Sequence, residues 1–221
     1  MLGNLFGGGI WFLLFIPLRL IALVVHEYSH GFVSAKLGDP TPRIRGRLTL
    51  NPLAHLDPMG TILMLLTGFG WARPVEVNPM YYKDRKKGMG LVAFAGPLSN
   101  FILAFVSLLL YGILYVILYK LGVSYTVIDF FGQLCVYSAQ INLCFMVFNL
   151  IPIPPLDGSR ILGMFISDRA YYSMLQYERY SMFLIMALSL SGALSGIIGR
   201  GIMILYVPMV NLVNFLINLI I

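Results

Sequence analysis

His26, Glu27 and His30 fall in the stretch His26-Glu27-Tyr28-Ser29-His30, the pattern H-E-x-x-H. Two histidines four apart on a helix project from one face, so both imidazoles can reach a single metal ion. Glu27, beside the first of them, is placed to take a proton from a water held by that ion. The chemistry on offer is metal-assisted hydrolysis. The plain alternative is a chance match on an amphipathic helix, because short patterns recur by accident. The surroundings weigh against chance. The pattern closes an apolar run from Ile10 to Val25, and burying a glutamate and two histidines in such a segment costs a few kcal/mol each unless they are paired or ligated.

A hydrolytic site of this kind needs a third protein ligand and one open position. Among the acids, Asp157 stands out. It follows Asn149-Leu150-Ile151-Pro152-Ile153-Pro154-Pro155-Leu156, where three prolines break an apolar helix. Backbone freed by prolines at membrane depth lines a cavity, not lipid. The competing reading makes Asp157 the N-cap of a helix starting at Gly158, and spacing alone does not choose between the two. A glutamate as third ligand is the other option. Glu76 and Glu178 are the candidates, and neither lies in an apolar segment at membrane depth.

The elements that must hold these residues are set by composition. Of 221 residues, 59% are hydrophobic and 11% charged, where a globular domain is about a quarter charged. The chain reads as an integral membrane protein with little extramembrane mass. Its net charge of +6 fits basic loops against an anionic leaflet. With no basic tract interleaved with aromatics, nucleic acid is not an expected partner. Cys135 and Cys144, nine residues apart in an apolar run, fall on opposite helix faces and read as buried thiols, not a disulfide. Met1 to Gly9 carries no Lys or Arg, so the first hydrophobic segment is expected to stay with the mature chain.

Hydropathy predicts a first membrane helix from Ile10 to about Ser34, interrupted by Pro17 and Arg19. Arg43 to Leu50 alternates with period 2 and predicts a strand; Val75 to Asn78 predicts a second, making a short hairpin. Gly60 to Trp71 is too short to span and reads as a re-entrant or short interfacial helix. Leu91 to Tyr119 predicts a long helix opened by Ala95-Gly96-Pro97-Leu98-Ser99-Asn100. Lys120 to Phe131 reads as a loop holding Asp129, and Leu134 to Ile151 as the next spanning helix. A more polar Arg160–Arg179 stretch, an apolar Tyr180–Leu194 and a last apolar Ile202–Ile221 follow, with a kink at Pro208. The expected class is an all-α polytopic membrane protein of about five to six transmembrane helices. The hairpin and the re-entrant segment lie between the first two core helices. One membrane-embedded domain, 1–221, is expected, with a core of 10–160 and C-terminal helices in 161–221. Nine of the fifteen Lys and Arg lie between Lys36 and Lys87, which puts that region, and His30 and Pro152 with it, toward the cytoplasm.

Three stretches together resemble the site-2 proteases, zinc metalloproteases that cut substrates within the membrane: His26 to His30, Ala95 to Asn100, and Asn149 to Gly158. The resemblance covers about Ile10 to Arg160 in the family's order. Leu50-Asn51-Pro52-Leu53-Ala54-His55-Leu56-Asp57-Pro58 is similar to the compact bacterial and archaeal members. The resemblance implies one zinc ion bound by His26, His30 and Asp157, Glu27 as catalytic base, and Asn149 as a residue that contacts substrate or steadies the oxyanion. It further implies membrane-spanning protein substrates in a cell membrane. The extra proline in Pro154-Pro155-Leu156 departs from the family's pattern and leaves the ligand assignment intact. The PDZ or CBS domain of many members has no room in this chain, and substrate selection is therefore open. A non-catalytic binding or scaffolding member of the same fold is the alternative; the intact set of four residues argues against it.

His55 is expected to make a structural hydrogen bond in its loop, with a second metal or a proton relay as the other options. The Arg43–Leu50 strand is either an edge that pairs with an unwound substrate or plain hairpin.

Overall fold

The computed structural model describes residues 9–67 and 73–220, and these are mostly helical. In order come α1 (Gly9–Lys36), the short α2 (Thr41–Ile44), α3 (Pro58–Thr67), α4 (Arg85–Lys120), α5 (Tyr125–Asn149), α6 (Asp157–Gly163), α7 (Asp168–Gln176), α8 (Glu178–Leu190) and α9 (Ala193–Ile220). Among the described residues, three helices are long and apolar enough to cross a membrane: α4, α5 and α9.

Contacts divide the chain into two compact units. The first takes Met1–Ala22, Asn100–Val147 and Leu188–Ile221. Its core is a ladder of small and branched side chains: Ala104 and Leu108 on α4, Ala139 and Leu143 on α5, Met209 and Val213 on α9. On α4 the buried residues recur every fourth position. Ile102, Val106, Leu110, Ile113 and Ile117 form an outward stripe, each about half exposed. A soluble protein does not leave so long an apolar stripe to water; facing lipid, it needs no cover. Lipid supplies no hydrophobic force between helices, so polar bonds help hold them. Asn100, fully buried, donates through Nδ2 to the Ala22 carbonyl at 3.1 Å and to Asn142 Oδ1 at 2.9 Å, tying α1, α4 and α5 together.

The second unit takes Leu23–Ser99 and Phe148–Ala187. Its loops are organised by Asp39, which is buried. Asp39 accepts from the Ser34 hydroxyl at 2.7 Å, the Thr41 N–H at 2.9 Å and the Asn78 N–H at 2.7 Å. The Tyr82 hydroxyl lies 2.7 Å from Ser34 Oγ and acts as the donor there, because Ser34 has already given its proton to Asp39. Lys86 binds the Ile166 carbonyl and lies 2.9 Å from the Asp168 carboxylate, joining the start of α4 to α7.

Four sequence expectations change. The Arg43–Leu50 and Val75–Asn78 stretches contain no strand. Instead Pro42 opens α2, a turn whose closing amides are spent locally: the Arg45 N–H bonds to the Thr41 carbonyl and the Arg47 N–H to the Pro42 carbonyl. Gly46 then takes φ +65°, a left-handed value that ends any extended run. Second, α5 begins at Tyr125, so Asp129 is helical and the loop shrinks to residues 121–124. Third, α4 starts at Arg85 and carries Pro97 inside it, so Ala95–Asn100 does not open the helix. Fourth, α3 runs from Pro58 to Thr67, about 15 Å and half of a bilayer core; residues 68–72 of the expected re-entrant segment lie outside the described residues.

Burial alone pushes the Asp39 carboxyl up, but the hydrogen bonds from Asn78, Thr41 and Ser34 outweigh it and hold the pKa below its ordinary 3.8. A depressed folded-state value stabilises the protein above the unfolded pKa and ceases to do so as pH falls through the folded one. Asp39→Asn should therefore cost about 2 kcal/mol at pH 7, with the gap from wild type closing below about pH 4. Thermal melting in detergent at both pH values checks this; an equal gap at both would rule out the charged form as the stabilising one.

Candidate metal centre

One face of α1 carries Ala22, His26, His30 and Ser34, one residue per turn, with His30 half-buried and the other three buried. His26 and His30 sit edge to face, ring centroids 4.6 Å apart. Across from them, the chain after α5 turns through Pro152–Pro155 and re-enters a helix at Asp157. Asp157 is the first residue of α6; Leu156 is the N-cap, and no side chain caps the helix. The N-cap reading of Asp157 is thus corrected: its carboxylate faces the histidines instead. Asp157 Oδ2 lies 3.2 Å from His26 Nε2 and 3.4 Å from His30 Nε2. All three side chains are almost fully withdrawn from solvent.

This donor set fits a metal. An ion bonded at about 2.05 Å with tetrahedral angles separates its donors by about 3.3 Å, close to both distances above. The tautomer fits as well. His30 Nδ1 lies 2.7 Å from the Val92 carbonyl, which can only accept, so Nδ1 carries a proton and Nε2 is the nitrogen left to serve a metal. Asp157 Oδ2 is buried and receives no well-directed hydrogen bond, which is costly unless something positive meets it. Among the described residues, His26, His30 and Asp157 form the group of metal-capable side chains, with donor atoms all within 4.8 Å of one another.

Glu27, next to His26 on α1, accepts from the Val75 N–H at 2.9 Å through Oε2. The 73–78 segment that supplies this amide is pinned at three places. Arg73 N–H donates to the His55 carbonyl at 2.8 Å, Val75 to Glu27, and Asn78 to Asp39. His55 is buried and donates through Nε2 to the Thr49 carbonyl at 2.8 Å, the structural bond expected of it. Glu76 pairs with Arg45 at 3.1 Å, both well exposed, and Glu178 opens α8 with its side chain exposed. Neither joins the histidines. Asn149 closes α5, eight residues before Asp157.

Two glycines act at this site in a way that spacing did not reveal. A Cβ on Gly96 would stand 2.5 Å from His30 Cε1 and 2.6 Å from His26 Cε1, so α4 packs its bare backbone against both rings. A Cβ on Gly158 would strike the Leu150 carbonyl, so the tight return of the chain that delivers Asp157 requires glycine. The available signal was Gly96 in the middle of an apolar helix, where glycine costs about 1 kcal/mol against alanine and needs a reason.

A buried two-histidine, one-carboxylate centre in a chain with membrane-length apolar helices defines a membrane-embedded metal hydrolase in class. Known proteins bear this out. Residues 124–192, which include Asp157, match the family model described as peptidase family M50. The chain is 41% identical over 178 residues to the "Putative zinc metalloprotease YwhC" of Bacillus subtilis, covering 78% of this chain and 80% of that one. It is 29% identical over 191 residues to Rip2 of Mycolicibacterium smegmatis, covering 83% and 69%. It is 26% identical over 200 residues to "Zinc metalloprotease MJ0392" of Methanocaldococcus jannaschii, covering 90% and 47%. No solved structure matches. The chain belongs to peptidase family M50, the family of the site-2 proteases.

Gly96→Ala should weaken metal binding by at least about tenfold, the scale of a disturbed supporting shell, while helix content holds because alanine favours the helix. Competitive chelator titration beside far-UV circular dichroism reads both. Wild-type affinity in the variant would show that the rings do not depend on this contact.

Proposed function

We propose that the chain is an intramembrane zinc metalloprotease that hydrolyses peptide bonds of membrane-spanning substrates within the bilayer. His26, His30 and Asp157 hold one zinc ion, and Glu27 is the general base. The observation that carries this reading is the convergence of Asp157 Oδ2 on the Nε2 atoms of both histidines, beside Glu27. Membership of family M50 and relatives named as zinc metalloproteases support it.

Bound zinc would supply Lewis-acid polarisation of a carbonyl and would lower the pKa of water toward about 7. The remaining steps fall to the protein. Glu27 takes the proton from the attacking water and passes it to the leaving amine. The Val75 N–H fixes one of its oxygens and leaves the other for this transfer. Val92 holds the His30 tautomer that exposes the Nε2 lone pair. Asn149, at the end of α5, is the residue we assign to substrate contact or to the oxyanion. The basic run between Lys36 and Lys87 supports a centre toward the cytoplasmic side of a multi-pass cell-membrane protein, which we read as a single catalytic domain with about five to six crossings.

Mass spectrometry of detergent-purified protein should find about one zinc per chain, lost in His26→Ala and in Asp157→Ala. Zinc retained after Asp157→Ala would assign the third ligand elsewhere. Glu27→Gln should keep its zinc and lose cleavage of a transmembrane substrate in liposomes by about 10²–10⁴-fold. Cleavage at the wild-type rate would remove Glu27 as base, and zinc-free wild type would favour the non-catalytic reading.

A further inference from the structure

Where α4 ends and α5 begins, a cavity of about 350 Å³ opens among Tyr111, Tyr115, Tyr125, Asp129, Gln133 and Gln140. Its size is at the lower end of about 300–1,000 Å³ for small-molecule sites, suited to a compact polar group and too small for an acyl chain or a folded peptide. All of it lies within the first compact unit, on residues that the hydrolytic reading does not use.

The electrostatics of the lining point one way. It holds one carboxylate and no Lys, Arg or His, in a chain whose net charge is +6. Asp129 takes a hydrogen bond from Gln133 Nε2 at 2.6 Å, a neutral partner, and forms no ion pair among the described residues. The aromatic rings add negative π-faces. Tyr111 and Tyr115 lie 6.2 Å apart and tilted by 44°, two walls at an angle, not a closed stack. Gly132 lets α5 approach the first of them: a Cβ there would already be 3.0 Å from Tyr111. Tyrosine faces beside an unpaired carboxylate attract a soft organic cation, and repel anions. The flanking turn, residues 121–124, joins two membrane-length helices, so the cavity opens at the depth of the lipid headgroups.

We propose that this cavity binds an alkylammonium group, with tyrosine faces on its methyl or methylene surface and Asp129 as counter-ion. The same chemistry is offered by an ammonium-bearing lipid headgroup and by a free small amine. Full-length protein in maltoside detergent is titrated calorimetrically with tetramethylammonium chloride, against sodium chloride at equal ionic strength. Saturable binding of tetramethylammonium alone is expected, weakened at least about tenfold by Asp129→Asn and by Tyr115→Leu. Asp129 is exposed, so Asp129→Asn should melt like wild type and keeps the test valid even if the tyrosine variant folds poorly. Dihexanoylphosphatidylcholine binding more tightly than choline would assign the lipid headgroup as source; equal affinities would assign a free amine. The proposal is overturned by no saturable binding, by Asp129→Asn binding as wild type does, or by the uncharged choline analogue 3,3-dimethylbutanol binding as tightly as choline.

Discussion

A carboxylate oxygen meets two imidazole nitrogens at 3.2 and 3.4 Å inside a chain that is 59% hydrophobic. A carboxylate so poorly solvated is costly unless something positive meets it. Much of the second unit makes sense as the apparatus that enforces this approach. Four-residue spacing on α1 aligns the imidazoles, and the Val92 carbonyl fixes the protonation of one. The proline-rich return after α5 brings the carboxylate round, and Gly158 lets the chain pass itself closely enough to do so. The fold spends local stability to hold an arrangement that only a cation completes, as supporting shells of metal centres do.

The parts of this site legible in the sequence were those that follow from a single element. The histidine pair and Glu27 depend on nothing but helical period. Asp157 was legible one step further out, because prolines at membrane depth imply irregular backbone, and irregular backbone there implies a cavity. What could not be read needs the docking of one element on another. Gly96 against the rings, Val92 on His30 and Val75 on Glu27 are contacts across 48 to 70 residues of chain, with no local pattern of their own.

The errors have physical causes too. Period-2 alternation in Arg43–Leu50 was real but came from basic residues, and Pro42 with Gly46 turned the same residues into a short helix and a left-handed turn. Asp129 and Gln133 lowered the hydropathy of the first turns of α5 enough to mimic a loop. They are helical because their polar ends meet each other and a tyrosine-lined cavity, not lipid. Low hydropathy at the end of a membrane helix therefore marked a polar recess and not the end of the helix.

Gly96 also makes the centre one-sided. Its bare backbone leaves less than a methyl group's width between α4 and both rings, so that flank is a wall closed to water, peptide and lipid alike. Any molecule reaching the three donors must arrive from the hemisphere that α4 leaves uncovered.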